Sequence, residues 1–232
     1  MTERMTETPA MLDILYEDDA LLFVNKPAGI VVQRGYDADE PVLLEIAAAY
    51  AGTIFLMQRL DRGTSGVMFF SKLASINANL TRQFEGKRIR KRYLALCEGE
   101  LGERQTIDAP LIRIGPISFG AGDGGKRAIT IVTPVRSTRS GSLVAVDLLT
   151  GRTHQIRVHL AAIGHPLIGD WLYGQRNDGR PMLHARELSM THPLTNEPLR
   201  VEAPLPDDFR DTASERGIVS RGEDMMTLDG CS

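Results

Sequence analysis

Hydrophobic residues along the chain occur both in short runs and at helical spacing. Apolar runs and alternation predict strands at residues 14–16, 21–26, 67–72, 90–98, 128–135, 143–149, 183–190 and 199–203. Apolar residues three or four apart predict helices at 42–51, 74–85 and 153–163, each followed by a glycine that can end it. Because strands and helices do not alternate regularly, the pattern predicts an α+β fold with a mixed, mostly antiparallel sheet and flanking helices.

The same pattern predicts one folded domain, at residues 13–210. Residues 1–12 lack a hydrophobic run and are expected to be disordered or extended, and residues 211–232 are expected to form a frayed polar tail. The glycine-rich stretch 120–126 has neither the ending of a phosphate-binding loop nor a dinucleotide fingerprint, so we expect a flexible connector there.

Composition favours one large domain in a reducing compartment. The chain has 232 residues, of which 42% are hydrophobic and 25% charged. The two cysteines, Cys97 and Cys231, are too few and too far apart for a disulfide framework or a zinc site of the usual spacing. The sequence contains no run of membrane-spanning length and no signal peptide, so we expect a cytoplasmic protein that does not bind membranes.

Charge gives an ambiguous indication of the partner. The net charge of −3 argues mildly against nucleic acid, although a local basic face is enough for binding. Residues 87–92 read Lys-Arg-Ile-Arg-Lys-Arg, and Arg82 precedes them closely. This segment is either such a basic face or a solvated edge strand protected by its charge, and the sequence gives both interpretations equal weight.

The octet Arg59-Leu60-Asp61-Arg62-Gly63-Thr64-Ser65-Gly66 contains a candidate reactive carboxylate. Asp61 lies between two arginines, whose charge favours the ionised carboxylate that a nucleophile or general base requires. Taken alone, the octet fits a salt-bridged turn before a buried strand better, because structural ion pairs also cluster charge. Three further motifs change that balance.

These motifs surround the octet in a fixed order along the chain. Lys26-Pro27-Ala28-Gly29 comes before it and Lys91-Arg92-Tyr93-Leu94-Ala95 after it. The last motif begins Gly151-Arg152-Thr153-His154-Gln155-Ile156-Arg157 and continues through Gly169-Asp170 to Tyr173-Gly174. In this order and spacing, residues 14–209 resemble the RluA family of pseudouridine synthases.

The resemblance implies an RNA-modifying enzyme. Members of that family isomerise uridine to pseudouridine in structured RNA, without cofactor or metal, in the central cleft of a mostly antiparallel fold. It implies that Asp61 is the catalytic carboxylate, that Arg157 pairs with it, and that Tyr93 lies under the target base. Arg59 resembles the residue that fills the gap left by the flipped base.

Other residues of the motifs are expected to contact the substrate, a stem-loop of ribosomal or transfer RNA. We assign this role to Arg62, Lys91, Arg152 and His154. The spacing of His154, His159 and His165 does not match a zinc-protease motif, so we expect structural histidines and no metal. We also expect a monomer.

Departures from the family leave alternatives open. Gln58 stands where the family usually has histidine. The residues before Ile14 are too few for a domain, so we expect no separate RNA-binding domain there and expect the catalytic domain to select the substrate. One alternative is a non-catalytic RNA-binding or RNA-chaperone module on the same fold. Another is a hydrolase that uses Asp61 as base, for which Asp170 is the second motif carboxylate; we expect Asp170 to stabilise a turn instead.

Overall fold

The computed structural model describes residues 12–35, 40–174 and 179–220, and these residues form twelve β-strands and four α-helices. In chain order the elements are β1 (Ile14–Glu17), β2 (Leu21–Lys26), α1 (Leu43–Ala51), β3 (Phe55–Leu56), β4 (Ser65–Ser71), α2 (Asn77–Glu85), β5 (Arg90–Cys97), β6 (Gln105–Asp108), β7 (Leu111–Arg113), β8 (Phe119–Ala121), β9 (Ile129–Thr138), β10 (Gly141–Leu148), α3 (Gln155–Ala162), β11 (Leu183–Thr191), β12 (Pro198–Glu202) and α4 (Asp207–Glu215). Across these ranges, no helix is long and apolar enough to cross a membrane.

Ten of the strands form one mixed sheet. Its main order is β1-β2-β4-β11-β5-β10-β9-β6, with β12 paired to β11 and β3 to β4, while β7 and β8 form a separate hairpin. The pairing of β4 with β11 is parallel, and the other described pairings in this sheet are antiparallel. The predicted α+β class with a mostly antiparallel sheet is therefore confirmed.

The sheet is covered on both faces because its central strands alternate between two cores. On β5, Tyr93, Ala95 and Cys97 join the larger core, whereas Leu94 and Leu96 face a second core on the opposite side. This alternation follows from the two-residue period of a strand. Strand β4 is buried along its whole length, as its continuous apolar run predicts.

Helix α4 corrects the expected tail. The helix begins before residue 211 and continues to Glu215, and Phe209, Ala213, Ile218 and Val219 pack in the second core. The expectation of fraying from residue 211 is wrong for 211–219, because the apolar residues of this segment are spaced to cover the second face of the sheet. Residues 221–232, and residues 1–11 at the other terminus, lie outside the described residues.

Three further expectations need correction. Strand β5 lies between β11 and β10 from Arg92 onward, so it is not an edge strand of the sheet, and Arg90 and Lys91 at its start pair with β11 only. The expected connector at 120–126 begins inside the β7–β8 hairpin, where Gly120 and Ala121 belong to β8. The predicted helix at 74–85 is divided into a 3-10 turn, Ala74–Ile76, and α2.

Candidate active site

A cavity of about 560 Å³ lies among three segments that are far apart in sequence. The loop before β4 provides one wall, the start of β5 a second, and the β10–α3 connection with α3 itself a third. All eight residues assigned to catalysis or substrate binding line this cavity: Arg59, Asp61, Arg62, Lys91, Tyr93, Arg152, His154 and Arg157.

The loop that carries Asp61 is held from behind by the Lys-Pro-Ala-Gly motif. The backbone carbonyl of Arg62 accepts hydrogen bonds from the Gly29 N–H (2.8 Å) and from the buried Nζ of Lys26 (3.2 Å). The Arg62 side chain donates back to the Gly29 carbonyl at 3.0 Å. This two-way connection fixes the loop backbone, so the direction of the Asp61 side chain is set by main-chain contacts.

Gly66 sets how closely the loop approaches the sheet. Its φ is +110°, and a Cβ at this position would lie 2.2 Å from the carbonyl oxygen of Ala185 in β11. Glycine is therefore required at this point, where the loop enters β4 and β4 pairs in parallel with β11.

Two cationic or hydrogen-bonding groups face the Asp61 carboxylate, whose side chain is 29% exposed. Nη1 of Arg157 lies 3.7 Å from its Oδ2, and Nε2 of His154 lies 3.8 Å from the same atom. Both come from α3 or the residue just before it, so the last motif lies against the octet across the cavity.

The primary partner of Arg157 is Asp170, which modifies the expected pairing. Arg157 donates from Nε and Nη2 to the two Asp170 oxygens, both at 2.7 Å. Burial disfavours the Arg157 cation, but the hydrogen bonds and negative charge of Asp170, with a smaller contribution from Asp61, outweigh it and raise the pKa of Arg157. The bidentate pair occupies one edge of the guanidinium and leaves Nη1 for Asp61.

Asp170 also stabilises a turn, as expected. Its Oδ1 accepts hydrogen bonds from the N–H groups of Leu172 and Tyr173 at 3.1 and 3.2 Å. The Tyr173 ring lies 5.0 Å from the Arg157 guanidinium carbon, within the range of a cation–π contact. The turn therefore supports Arg157 both from its edge and from its face.

Tyr173 also orients His154. Its hydroxyl lies 2.8 Å from Nδ1 of His154 and accepts a hydrogen bond from the Phe119 N–H at 2.9 Å. Burial lowers the pKa of His154, although the charge of Asp61 opposes this shift, so the ring is neutral at neutral pH. When the Tyr173 hydroxyl donates to Nδ1, the ring proton is on Nε2, the nitrogen that faces Asp61.

His154 has an uncommon backbone conformation. Its φ of +56° and ψ of +17° place a non-glycine residue in the left-handed region, directly before α3 begins. Such conformations are unfavourable for ordinary side chains and occur often at functional sites. Here the conformation brings the imidazole between Phe119 and Tyr173, with ring centroids 5.8 and 5.6 Å away.

Tyr93 and Lys91 lie on one strand at the cavity wall. Tyr93 is 7% exposed, and burial, reinforced by the negative charge of Asp61, raises the pKa of its hydroxyl. It therefore keeps its proton at neutral pH. Burial lowers the pKa of Lys91 to about 8, and its Nζ lies 4.8 Å from the Phe84 ring centroid. Lys91 remains mainly cationic at neutral pH.

The other predicted substrate contacts differ in how they are held. Arg59, Arg62 and Arg152 are all exposed. Arg62 pairs with Glu40 at 2.7 Å, and Arg152 donates to the Arg127 carbonyl at 3.1 Å. Both arginines are thus partly anchored by the protein itself, which leaves fewer of their N–H groups for a substrate.

Gln58 contributes an unsatisfied donor to the cavity. Its side chain lines the cavity, and its Nε2 is buried with no hydrogen-bond partner in the described part of the chain. A buried donor without a partner is unfavourable, so a ligand acceptor at this point would remove an existing penalty.

The three histidines considered for a metal site are not brought together. His159 hydrogen-bonds to Thr130 and to the Ala109 carbonyl, and His165 to the Glu98 carbonyl. Within 12–35, 40–174 and 179–220, no group of three or more potential ligands is arranged around a common point.

Sequence reasoning missed part of the site. It gave Asp170 only a role in a turn and gave Tyr173 and Phe119 no role. The spacing Gly169-Asp170 to Tyr173-Gly174 is a signal that could have identified the first two. Phe119 lies on a hairpin with no recognised motif, and its contact with Tyr173 follows only from the tertiary structure.

Comparison with known proteins gives one consistent result. A family model described as RNA pseudouridylate synthase matches residues 20–162. The chain is 39% identical over 212 residues to the RNA pseudouridine synthase YhcT of Bacillus subtilis. The aligned region covers 86% of this chain and 70% of YhcT. It is 36% identical over 217 residues to ribosomal large subunit pseudouridine synthase D of Nitrosomonas europaea, covering 85% of this chain and 63% of that relative.

A solved structure extends the agreement to three dimensions. The fold matches that of human RNA pseudouridylate synthase domain containing 1 with a TM-score of 0.73 and 27% sequence identity. The match covers 88% of this chain and 87% of the human chain.

Proposed function

The chain belongs to the RNA pseudouridylate synthase family, and we propose that it isomerises uridine to pseudouridine in a stem-loop of structured RNA, with Asp61 as the catalytic carboxylate. Relatives named for the ribosomal large subunit make ribosomal RNA the first substrate to examine, with transfer RNA as the second. We place the enzyme in the cytoplasm, acting as a monomer without metal or cofactor.

The single observation that carries this proposal is the environment of Asp61. The carboxylate lies in the cavity wall and faces Arg157 and His154 at 3.7 and 3.8 Å. Addition to the uracil ring, attack on the sugar carbon and removal of a sugar proton all require a positioned, ionised carboxylate. Arg157 and the neutral imidazole of His154 provide that positioning.

The reaction balances without an oxidant or a second substrate. The bond from ring nitrogen N1 to the sugar carbon C1′ breaks, a bond from ring carbon C5 to C1′ forms, C5 loses its proton and N1 gains one. The target base must leave the helix for its glycosidic bond to be reached, and a cavity of about 560 Å³ falls in the size range of small-ligand sites.

Tyr93 is assigned to the base itself. Stacking of a base on an aromatic ring contributes roughly 1–3 kcal/mol, and Tyr93 lies on the cavity wall close enough for the Asp61 charge to affect its hydroxyl. Because its pKa is raised, stacking and hydrogen-bond donation suit it better than proton abstraction does.

The arginines and Lys91 are assigned to the rest of the RNA. Arg59 is exposed at the cavity mouth, where its planar guanidinium can occupy the gap left by the flipped base. Lys91, Arg62 and Arg152 supply positive charge for phosphates, and His154 contacts both Asp61 and the substrate.

The test is a pseudouridine map of cellular RNA in three strains: wild type, a strain without this gene, and that strain carrying Asp61→Asn. We expect one or more sites to be present only in wild type. Restoration of a site by Asp61→Asn would remove Asp61 from catalysis. If no site is lost, the purified protein is assayed on ribosomal and transfer RNA; binding without product formation would favour the non-catalytic module.

A further inference from the structure

Residues 82–90, from the last turn of α2 to the first residue of β5, carry positive charge that the fold does not use. Arg82, Lys87, Arg88 and Arg90 are all exposed. In the described residues, no carboxylate forms an ion pair with any of the four. The same segment contains one acidic residue, Glu85. Like charges grouped in this way repel one another and do not stabilise the folded chain by themselves.

The structure excludes the alternative explanation for three of these four charges. An edge strand can use basic side chains to prevent pairing with another molecule. Arg82, Lys87 and Arg88 lie outside any strand, so edge protection does not account for them. Arg90 is paired to β11, and pairing to β10 begins at Arg92. Arg92, further along β5, has a partner within the protein, because it bonds to Asp147 at 3.1 Å.

This basic connection continues directly from the cavity wall. Phe84 within this segment and Lys91 directly after it both line the cavity, and the Lys91 ammonium lies 4.8 Å from the Phe84 ring centroid. The exposed cations are therefore next in sequence to residues of a wall that already contains a cation.

The connection is held rigidly enough to present these charges. The N–H groups of Gly86 and Arg88 donate to the carbonyls of Arg82 and Gln83 at 2.9 and 2.8 Å. Ile89 is 7% exposed and packs in the main core, so the residues on either side of it point outward. A fixed set of charges loses less conformational freedom on binding than a flexible tail does.

We propose that residues 82–90 form a docking surface for the phosphodiester backbone of the substrate RNA, beside the catalytic cavity. This inference rests on the proposed function. The protein has a net charge of −3, so attraction to a polyanion must come from a local patch, and here the patch adjoins the cavity. Backbone contacts of this kind position the RNA without reading its sequence.

The test compares two variants with wild type. One replaces Arg82, Lys87, Arg88 and Arg90 with glutamine. The matched control is Arg139→Gln, because Arg139 is also exposed and in the tight turn between β9 and β10. That turn lies at the far end of β10, which spans eight residues. At about 3.3 Å per residue, the turn is therefore some 23 Å from the cavity end of the strand.

Binding is measured with a fluorescent RNA hairpin bearing a uridine-rich loop, over a series of KCl concentrations. The slope of log K against log salt is negative, and each lost phosphate contact reduces its magnitude by roughly 0.7–0.9. Four lost contacts therefore predict a slope that is shallower by about 3. We expect at least tenfold weaker binding at low salt for the four-glutamine variant. The Arg139→Gln control should match wild type in both affinity and slope.

Measurement of the catalytic rate distinguishes a failure of this inference from a failure of the proposed function. The single-turnover rate at saturating RNA should be unchanged in the four-glutamine variant, because the substituted residues lie outside the Asp61 environment. If wild type binds RNA but makes no pseudouridine, the proposed function fails while the salt slopes still test the docking surface.

An unchanged affinity and slope in the four-glutamine variant would overturn the proposal, and so would an equal loss in Arg139→Gln. Thermal unfolding is followed in parallel. If the four-glutamine variant does not fold, Lys87→Gln/Arg88→Gln is used, for which two contacts predict a slope decrease of about 1.5.

Discussion

Asp170→Asn removes one charge of a buried ion pair while keeping the shape of the side chain. The Asp170 side chain is 0% exposed and that of Arg157 is 7% exposed. Breaking a buried pair from one side leaves an uncompensated charge and typically destabilises by about 3–5 kcal/mol. Because Arg157 borders the cavity and retains Asp61 at 3.7 Å, we expect the lower end, about 3 kcal/mol. At about 2–4 °C per kcal/mol for a chain of this size, the melting temperature should fall by roughly 6–12 °C.

The assay is urea unfolding followed by two signals. Far-UV circular dichroism reports on the whole fold, and the single tryptophan, Trp171, lies next to Asp170 and reports on the turn. The control is Asp147→Asn, whose pair with Arg92 is about one third exposed and is worth less than about 1 kcal/mol. A loss below about 1 kcal/mol in Asp170→Asn would refute the reasoning, because a buried, bidentate pair would then behave like a surface pair.

A second variant isolates the charge effect. Asp170→Asn/Arg157→Met removes both partners, so no cation is left buried, and we expect less destabilisation than the two single variants predict when added. Simple additivity would show that the two side chains are not coupled. In the folded fraction of Asp170→Asn, we expect kcat to fall with little change in KM for RNA, because Arg157 loses its direction toward Asp61 rather than a substrate contact.

Three other predictions follow from separate parts of the structure. Gly66→Ala should destabilise the protein by more than the ~1–2 kcal/mol of left-handed strain, because its Cβ would meet the Ala185 carbonyl. Gly52→Ala is the control: Gly52 has φ +76° and open space around it, so the protein should lose only the stability that the backbone strain costs. Equal losses of stability in urea unfolding would contradict this. Burial lowers the pKa of His184 to about 4 in the folded protein, so the unfolded chain takes up the proton first as pH falls; stability is full above about pH 6.5 and decreases by about 3 kcal/mol toward pH 4. This decrease should be smaller in His184→Asn, and an identical pH dependence of unfolding in both proteins would exclude His184 as its source. Tyr93→Phe should retain most of its affinity for RNA and Tyr93→Ala should lose roughly 1–3 kcal/mol of it in fluorescence titration, and equal losses would show that the hydroxyl, not the ring face, carries the interaction.

The arrangement of the site was predictable to the extent that it depends on local motifs. Each motif fixed which residue types stand together, and all eight assigned residues line one cavity. The partner of each of these side chains was harder to predict from the sequence. Arg157 has the same neighbours in sequence whichever carboxylate it meets, and only the folded chain shows that Asp170 holds it more closely than Asp61 does.

The secondary structure likewise divides into elements that the sequence pattern located and elements that it did not. Hydrophobic periodicity located β2, β5, β10 and α3 within a few residues, because burial of one face or both leaves a local pattern. Short elements such as β3 and β6 leave too few positions for a pattern. The part of α4 from residue 211 onward falls in the predicted tail because its polar residues outnumber the apolar ones that anchor it.

The sequence by itself determined the class of the fold, the Asp61 loop and the residue types around it, since these depend on side-chain period and on motifs within a few residues of one another. The tertiary structure decided which distant groups meet. The parallel pairing of β4 with β11, the interior position of β5 and the contact of Tyr173 with His154 all join segments that carry no local signal for one another. The physical reason is that local sequence limits the conformation of a segment, whereas the partners of its side chains are selected by packing and by the need to satisfy buried charge.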